Sequence, residues 1–217
     1  MSNTKPSDNN LRELRIDNVC CWKGEKCLFQ QVSFTLKSGE ITQLEGENGV
    51  GKTSLMRIIA GLSRPEVGDV RWCGQSIYSS PDSYHANLLY IGHKPGLKDV
   101  LTAAENLSFY QETIGEHNPQ AVYDALSKIG LQSRENIPVR QLSAGQQRRV
   151  ALARLHLSKA KVWLLDEPFT AIDKKGVEDL VALFKAHCNQ GGIILFTSHQ
   201  SVADSAIQSI TLAGADL

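Results

Sequence analysis

Residues 46–53 read Gly-Glu-Asn-Gly-Val-Gly-Lys-Thr, and helix formers follow at once. The spacing G-x-x-x-x-G-K-[ST] requires a strand before it and a helix after it. Flexible backbone must curl its N–H groups around an anion, while a stiff helix holds the curl and presents the positive end of its dipole. ITQLE (41–45) supplies the strand, and Leu55, Ile58, Ile59 and Leu62 recur at helical spacing behind the loop. The chemistry expected is a grip on ATP. Gly46, Glu47, Asn48, Gly49, Val50, Gly51 and Ser54 line the phosphates, Lys52 reaches the β- and γ-phosphates, and the Thr53 hydroxyl meets Mg²⁺.

Such a site needs a carboxylate beside the metal. In VWLLDE (162–167) four apolar residues form a buried strand, and Asp166 emerges at its end, where α/β sheets place their ligands. Glu167 follows directly, suited to polarising a water for attack on the γ-phosphate. A second apolar run, GGIILF (191–196), lies beyond a helix expected over about 174–188, and NLLYIG (87–92) is a further strand. Short buried runs separated by helices predict parallel strands of an α/β sheet.

Ahead of the loop, residues 12–45 alternate apolar and polar positions with turns at Lys23-Gly24 and KSGE, which predicts antiparallel strands. Residues 63–77 continue as a proline turn and another strand. Between about 95 and 158 helical signals dominate. Thr102 and Glu105 form a capping box, Asn118-Pro119 opens a helix that Gly130 closes, and Ser143 opens another with Gln146 at its third position.

The bulk numbers narrow the partners. Lys+Arg and Asp+Glu both total 23, so no general positive field invites nucleic acid. No apolar run approaches the roughly 20 residues that cross a bilayer, so any membrane role is expected to act through a partner. The polar start, residues 1–10, reads as a disordered lead into one domain at 11–217 rather than a secretion signal, which points to the cytosol. Cys20, Cys21, Cys27, Cys73 and Cys188 lack paired C-x-x-C spacing and read as reduced thiols, with Cys20 and Cys21 as strand filler.

Leu142-Ser143-Ala144-Gly145-Gln146 is a second helix start suited to an anion. It resembles the LSGGQ signature of the ATP-binding cassette (ABC) ATPases, with Ala144 in place of the first glycine. The family's other marks follow in order. PFTAID (168–173) resembles its D-loop, ending at Asp173, and His199 in TSH resembles its switch histidine, which contacts the γ-phosphate. Trp22 matches the aromatic that stacks on adenine, although one residue of register shift puts Lys23 there instead. At the position of the Q-loop glutamine stands Lys94, which has three donors and no acceptor and so cannot ligate a cation.

The resemblance spans residues 12–215 or so and implies a P-loop NTPase cassette. Its parts would be a mixed or parallel core sheet, an N-terminal antiparallel part and a small helical subdomain. It further implies a homodimer, in which the signature of one copy completes the phosphate site of the other, and integral membrane partners. Residues 61–77 and 88–110, above all GHKPGLK, are similar to the ATP-binding subunits of haem exporters in bacterial cytochrome c maturation, peripheral on the cytoplasmic face of the inner membrane. No C-x-x-C-H or evident axial histidine marks a haem site, so direct haem binding is not expected. The alternatives are a cassette for lipid, peptide or metal transport, a soluble ABC ATPase acting on DNA or ribosomes, and a nucleotide kinase.

Overall fold

The alternating stretch after residue 12 folds into a long hairpin, β1 (Glu13–Lys23) and β2 (Lys26–Lys37), with β4 (Val67–Trp72) and β5 (Gln75–Ser76) completing an antiparallel sheet in the order β2-β1-β4-β5. In this computed structural model residues 12–199, 202 and 204–215 are described. The polar start expected over residues 1–10 lies outside them, as do residues 216–217. β1 is an inner strand, and Cys21 packs on the core beneath it. All five cysteines are free thiols.

The short apolar runs form the second sheet: β3 (Ile41–Glu45), β6 (Leu88–Ile91), β7 (Val162–Asp166), β8 (Ile193–Thr197) and β9 (Ile207–Thr211), in the order β6-β7-β8-β3-β9. Each neighbouring pair is parallel, so the sheet is wholly parallel rather than mixed. Every residue of β7 and β8 is buried, as expected for strands covered on both faces. Val162 and Leu164 point to one core, shared with α1 (Lys52–Ile59) and the antiparallel sheet. Trp163 and Leu165 point to the other, shared with Phe184 and Leu180 of α6 (Lys174–Asn189). The sheet's C-terminal edge thus lies beside the start of α1.

α3 (Ala103–Thr113), α4 (Pro119–Lys128) and α5 (Ala144–Leu157) enclose a third core of their own around Leu107, Leu126, Val139 and Val150. The caps read from sequence form: Thr102 with Glu105, Asn118 accepting from the Ala121 N–H, and Gly130 left-handed at φ 72°. Leu62 departs from the expectation. The helix ends at Ile59, Gly61 turns left-handed at φ 73°, the Leu62 N–H bonds back to the Arg57 carbonyl, and the side chain is 54% exposed. The sequence reading also passed over α2 (Pro81–His85) and β9, a five-residue helix and a half-exposed edge strand, both too short to set up a period.

Candidate functional site

The glycine loop connects β3 to α1 as its spacing requires. Gly46 and Gly51 stand at φ 145° and 108°; a Cβ on Gly46 would lie 2.7 Å from the Leu212 carbonyl oxygen and one on Gly51 2.9 Å from the Phe29 ring. Both contacts press the loop against its neighbours. The start of α1 has no side-chain cap and no acidic residue in its first turn. Its N–H groups and dipole are therefore left to an external anion. The ammonium of Lys52 donates to the carbonyls of Gly46 at 2.6 Å and Glu47 at 3.0 Å, which holds it over the curl of the loop.

A chain of side chains runs from this loop across the sheet edge. The Thr53 hydroxyl donates to Asp166 Oδ2 at 3.0 Å, and the Thr197 hydroxyl donates to Asp166 Oδ1 at 2.7 Å. Thr197 Oγ1 also accepts the Glu167 backbone N–H at 2.9 Å. The Glu167 carboxylate accepts from the His199 backbone N–H at 3.2 Å and lies 3.5 Å from His199 Nε2. Asp166 is buried and the Glu167 side chain nearly so, whereas His199 is exposed. Glu167 itself sits at φ 57°, a left-handed conformation that glutamate adopts rarely.

The remaining candidates lie around this centre. Ser143 caps α5 and Gln146 returns the bond, so the capping box expected there is formed, with Leu142 buried before it and Ala144 exposed. A Cβ on Gly145 would lie 3.0 Å from the Ala171 carbonyl oxygen, which puts the start of α5 against the 168–173 segment. Asp173 caps α6 and pairs with Arg149 at 3.4 Å. Among the described residues no hydrogen bond or ion pair joins 142–146 to 46–54. Trp22 is 46% exposed at the tip of the β1–β2 hairpin, in an open recess with Gly24 and Glu66. Lys94 is exposed in the loop after β6 and has no ion pair among the described residues.

The pattern of the ABC transporter family matches residues 29–170, well over half of the chain. The chain belongs to the ABC transporter family of ATPases. It is 54% identical over 202 residues to the cytochrome c biogenesis ATP-binding export protein CcmA of Haemophilus influenzae, covering 93% of this chain and 95% of that one. It is 52% identical over 201 residues to the CcmA of Escherichia coli O6:H1, covering 92% and 96%. In fold it matches the bacterial ABC transporter cassette MJ0796, solved as a dimer, with a TM-score of 0.79 at 24% identity over 91% of this chain and 94% of that one. The α/β P-loop architecture is therefore that of an ABC ATPase.

Two residues that bond to the Asp166–Glu167 segment gave no clear signal in the sequence. Thr197 closes the apolar strand IILFT, and a polar residue at the sheet edge one strand from Asp166 was a hint not taken up. Arg148 stands in the polar stretch QQRR (146–149), where nothing local marks it, yet it is 5% exposed and donates to the carbonyls of Gly92 and Asp166. Burial pushes the pKa of its guanidinium down, and the carboxylates of Asp166 and Glu167 push it back up.

Proposed function

We propose that this chain is the ATP-hydrolysing subunit of a membrane export complex that serves haem handling in c-type cytochrome biogenesis. The observation that carries the hydrolytic part is the continuous hydrogen-bonded path Thr53–Asp166–Thr197–Glu167, which joins the glycine loop to a carboxylate at the mouth of the sheet. The CcmA relatives support the biological part, and they disfavour a cassette for lipid, peptide or metal.

In this reading the N–H groups of residues 46–51 and the start of α1, with Ser54, take the phosphate oxygens, and Lys52 transfers its donors from the Gly46 and Glu47 carbonyls to the β- and γ-phosphates. The Thr53 hydroxyl and Asp166 carboxylate, 3.0 Å apart, form a hard-oxygen pair that suits Mg²⁺. Held there, Mg²⁺ supplies neutralisation of charge on the phosphate oxygens. Glu167 orients a water and accepts its proton, and His199, anchored to that carboxylate, faces the γ-phosphate. Trp22 stacks on adenine. Lys94 contributes no metal ligand.

Residues 142–146 sit at a helix start without acidic residues in its first turn and make no bond to their own glycine loop. This favours a homodimer in which each copy's Ser143–Gln146 and Asp173 complete the other's site. The chain from residue 11 acts as one domain, with a helical subdomain over about 95–158. No helix among the described residues is long and apolar enough to cross a membrane, and the chain works as a peripheral subunit on integral haem-handling partners at the cytoplasmic face of the inner membrane.

The test is expression of Glu167→Gln in a bacterial host that lacks its own copy. Mature c-type cytochromes are expected to disappear while the protein accumulates normally. Normal maturation would overturn the proposal.

A further inference from the structure

We propose that Arg148 is a positioning residue for hydrolysis: reaching from α5, it fixes the Asp166–Glu167 peptide, and so the Glu167 carboxylate, and ties that peptide to the segment leading to Lys94. The inference rests on the reading of Glu167 as the group that orients water.

The Asp166–Glu167 peptide is held at both poles. Its carbonyl accepts from Arg148 Nη2 at 2.5 Å, and its N–H donates to Thr197 Oγ1 at 2.9 Å. The residue that follows, Glu167, is left-handed at φ 57°. A strained backbone of this kind persists only where its surroundings over-determine it, and here Arg148 and Thr197 are the two groups that grip the adjoining peptide. Without the arginine the peptide keeps only its Thr197 anchor and can tilt toward a relaxed conformation, carrying the carboxylate away from its water.

The second donor, Nη1, goes to the Gly92 carbonyl at 2.8 Å. Ile91 of β6 pairs with Leu165 of β7, so Gly92 and Asp166 stand on the next rung of two parallel strands. Neighbouring strands are about 4.8 Å apart, and a planar guanidinium presents two donors in a fixed fork across that span, whereas an ammonium on a flexible stem is not pre-set to it. Among the described residues Arg148 Nε meets no acceptor, so these two carbonyl bonds alone orient the group. A charge this deeply buried and spent on two backbone carbonyls is a costly arrangement, and its return is geometric. Because Arg148 lies on α5 five residues after its cap Ser143, a displacement of that helix start is passed to the Glu167 peptide and to the Gly92 turn together.

Steady-state ATPase measurements on the purified full chain test this with Arg148→Gln, Arg148→Lys, Glu167→Gln and the Arg148→Gln/Glu167→Gln double variant. Arg148→Gln is expected to lower kcat by about tenfold or more while KM for ATP changes by less than about threefold, as for a misplaced rather than a missing catalytic group. Arg148→Lys is expected to restore only part of kcat. On the Glu167→Gln background Arg148→Gln should cost nothing further, because both changes disable the same carboxylate. An unchanged kcat, a loss carried by KM, or an additive loss in the double variant would overturn the inference. Thermal melting checks folding at the assay temperature; if Arg148→Gln is unfolded there, the same kcat, KM and double-variant criteria are applied to Arg148→Lys. Full turnover by Glu167→Gln would instead overturn the reading of Glu167.

Discussion

The hydroxyl of Thr197 donates to Asp166 Oδ1 at 2.7 Å from a fully buried position at the end of β8, and the same oxygen accepts the Glu167 N–H. One side chain therefore sets both the carboxylate proposed for the metal and the backbone of the carboxylate proposed for water. Thr197→Val keeps the shape and leaves two buried polar groups without their partner. The expected cost is about 1–3 kcal/mol in urea unfolding, together with a lower kcat. Thr197→Ser keeps the hydroxyl and should recover most of both. A loss in Thr197→Ser with none in Thr197→Val would mean that the methyl, not the hydroxyl, matters.

Lys52 donates to carbonyls that lie at the loop surface, with Glu47 exposed. Removing the ammonium should therefore disturb the fold little and nucleotide binding greatly. For Lys52→Ala the loss of charge-assisted bonds to phosphate predicts Mg-ATP binding weaker by roughly 10- to 100-fold, with hydrolysis falling in parallel. Isothermal titration against an unchanged melting curve checks both halves. Hydrolysis at the original rate would remove the basis of the proposed function.

Lys94 offers donors only, where an amide oxygen would add a ligand for the cation. Lys94→Gln is expected to lower the Mg²⁺ concentration for half-maximal ATPase activity by a few-fold while leaving nucleotide affinity close to its starting value. A Mg²⁺ titration of activity that superimposes on the unsubstituted protein's would show that this lysine has no bearing on metal coordination.

His187 stacks on Trp163 with ring centroids 3.7 Å apart and planes 9° from parallel, and its Nε2–H donates to the Lys161 carbonyl at 3.2 Å. Burial pushes its pKa down from 6.5 to about 4, against the opposing bond to Lys161, and burial with Lys128 pushes His156 down to about 4 as well. Both rings are neutral in the folded protein, while the unfolded chain binds protons below its own pKa of about 6.5. Their contribution to stability is complete above pH 6.5 and is lost as the pH falls from 6.5 toward 4. The urea midpoint should drop across that window, and His187→Gln should flatten the slope although it lowers stability at neutral pH by breaking the stack. A slope that survives His187→Gln and His156→Gln together would assign the acid sensitivity to other groups.

Much of this molecule is written in short stretches of its chain. The Ser143–Gln146 and Thr102–Glu105 boxes and the Asn118-Pro119 start satisfy their own backbone within a few residues, while the glycine spacing of 46–51 and the apolar runs at 162–165 and 193–196 declare their element type through local pattern. Asp166 and Glu167 were legible for the same reason: a buried strand that stops at a carboxylate announces its end. Leu62 obeyed the helical period and still left the helix, since a left-handed Gly61 ended it first.

Arg148 and Thr197 belong to the other kind. Arg148 is 56 residues from Gly92 and 18 from Asp166, and Thr197 is 31 from Asp166, so no local pattern distinguishes them from a solvated arginine and an ordinary strand residue. The sequence alone determined the phosphate loop, the strand ends and the helix caps, where periodicity and turn chemistry act over one or two turns. Only the tertiary structure decided which donors meet the Asp166–Glu167 peptide, because a buried polar group takes its partner from whichever strand or helix packing brings within 3 Å.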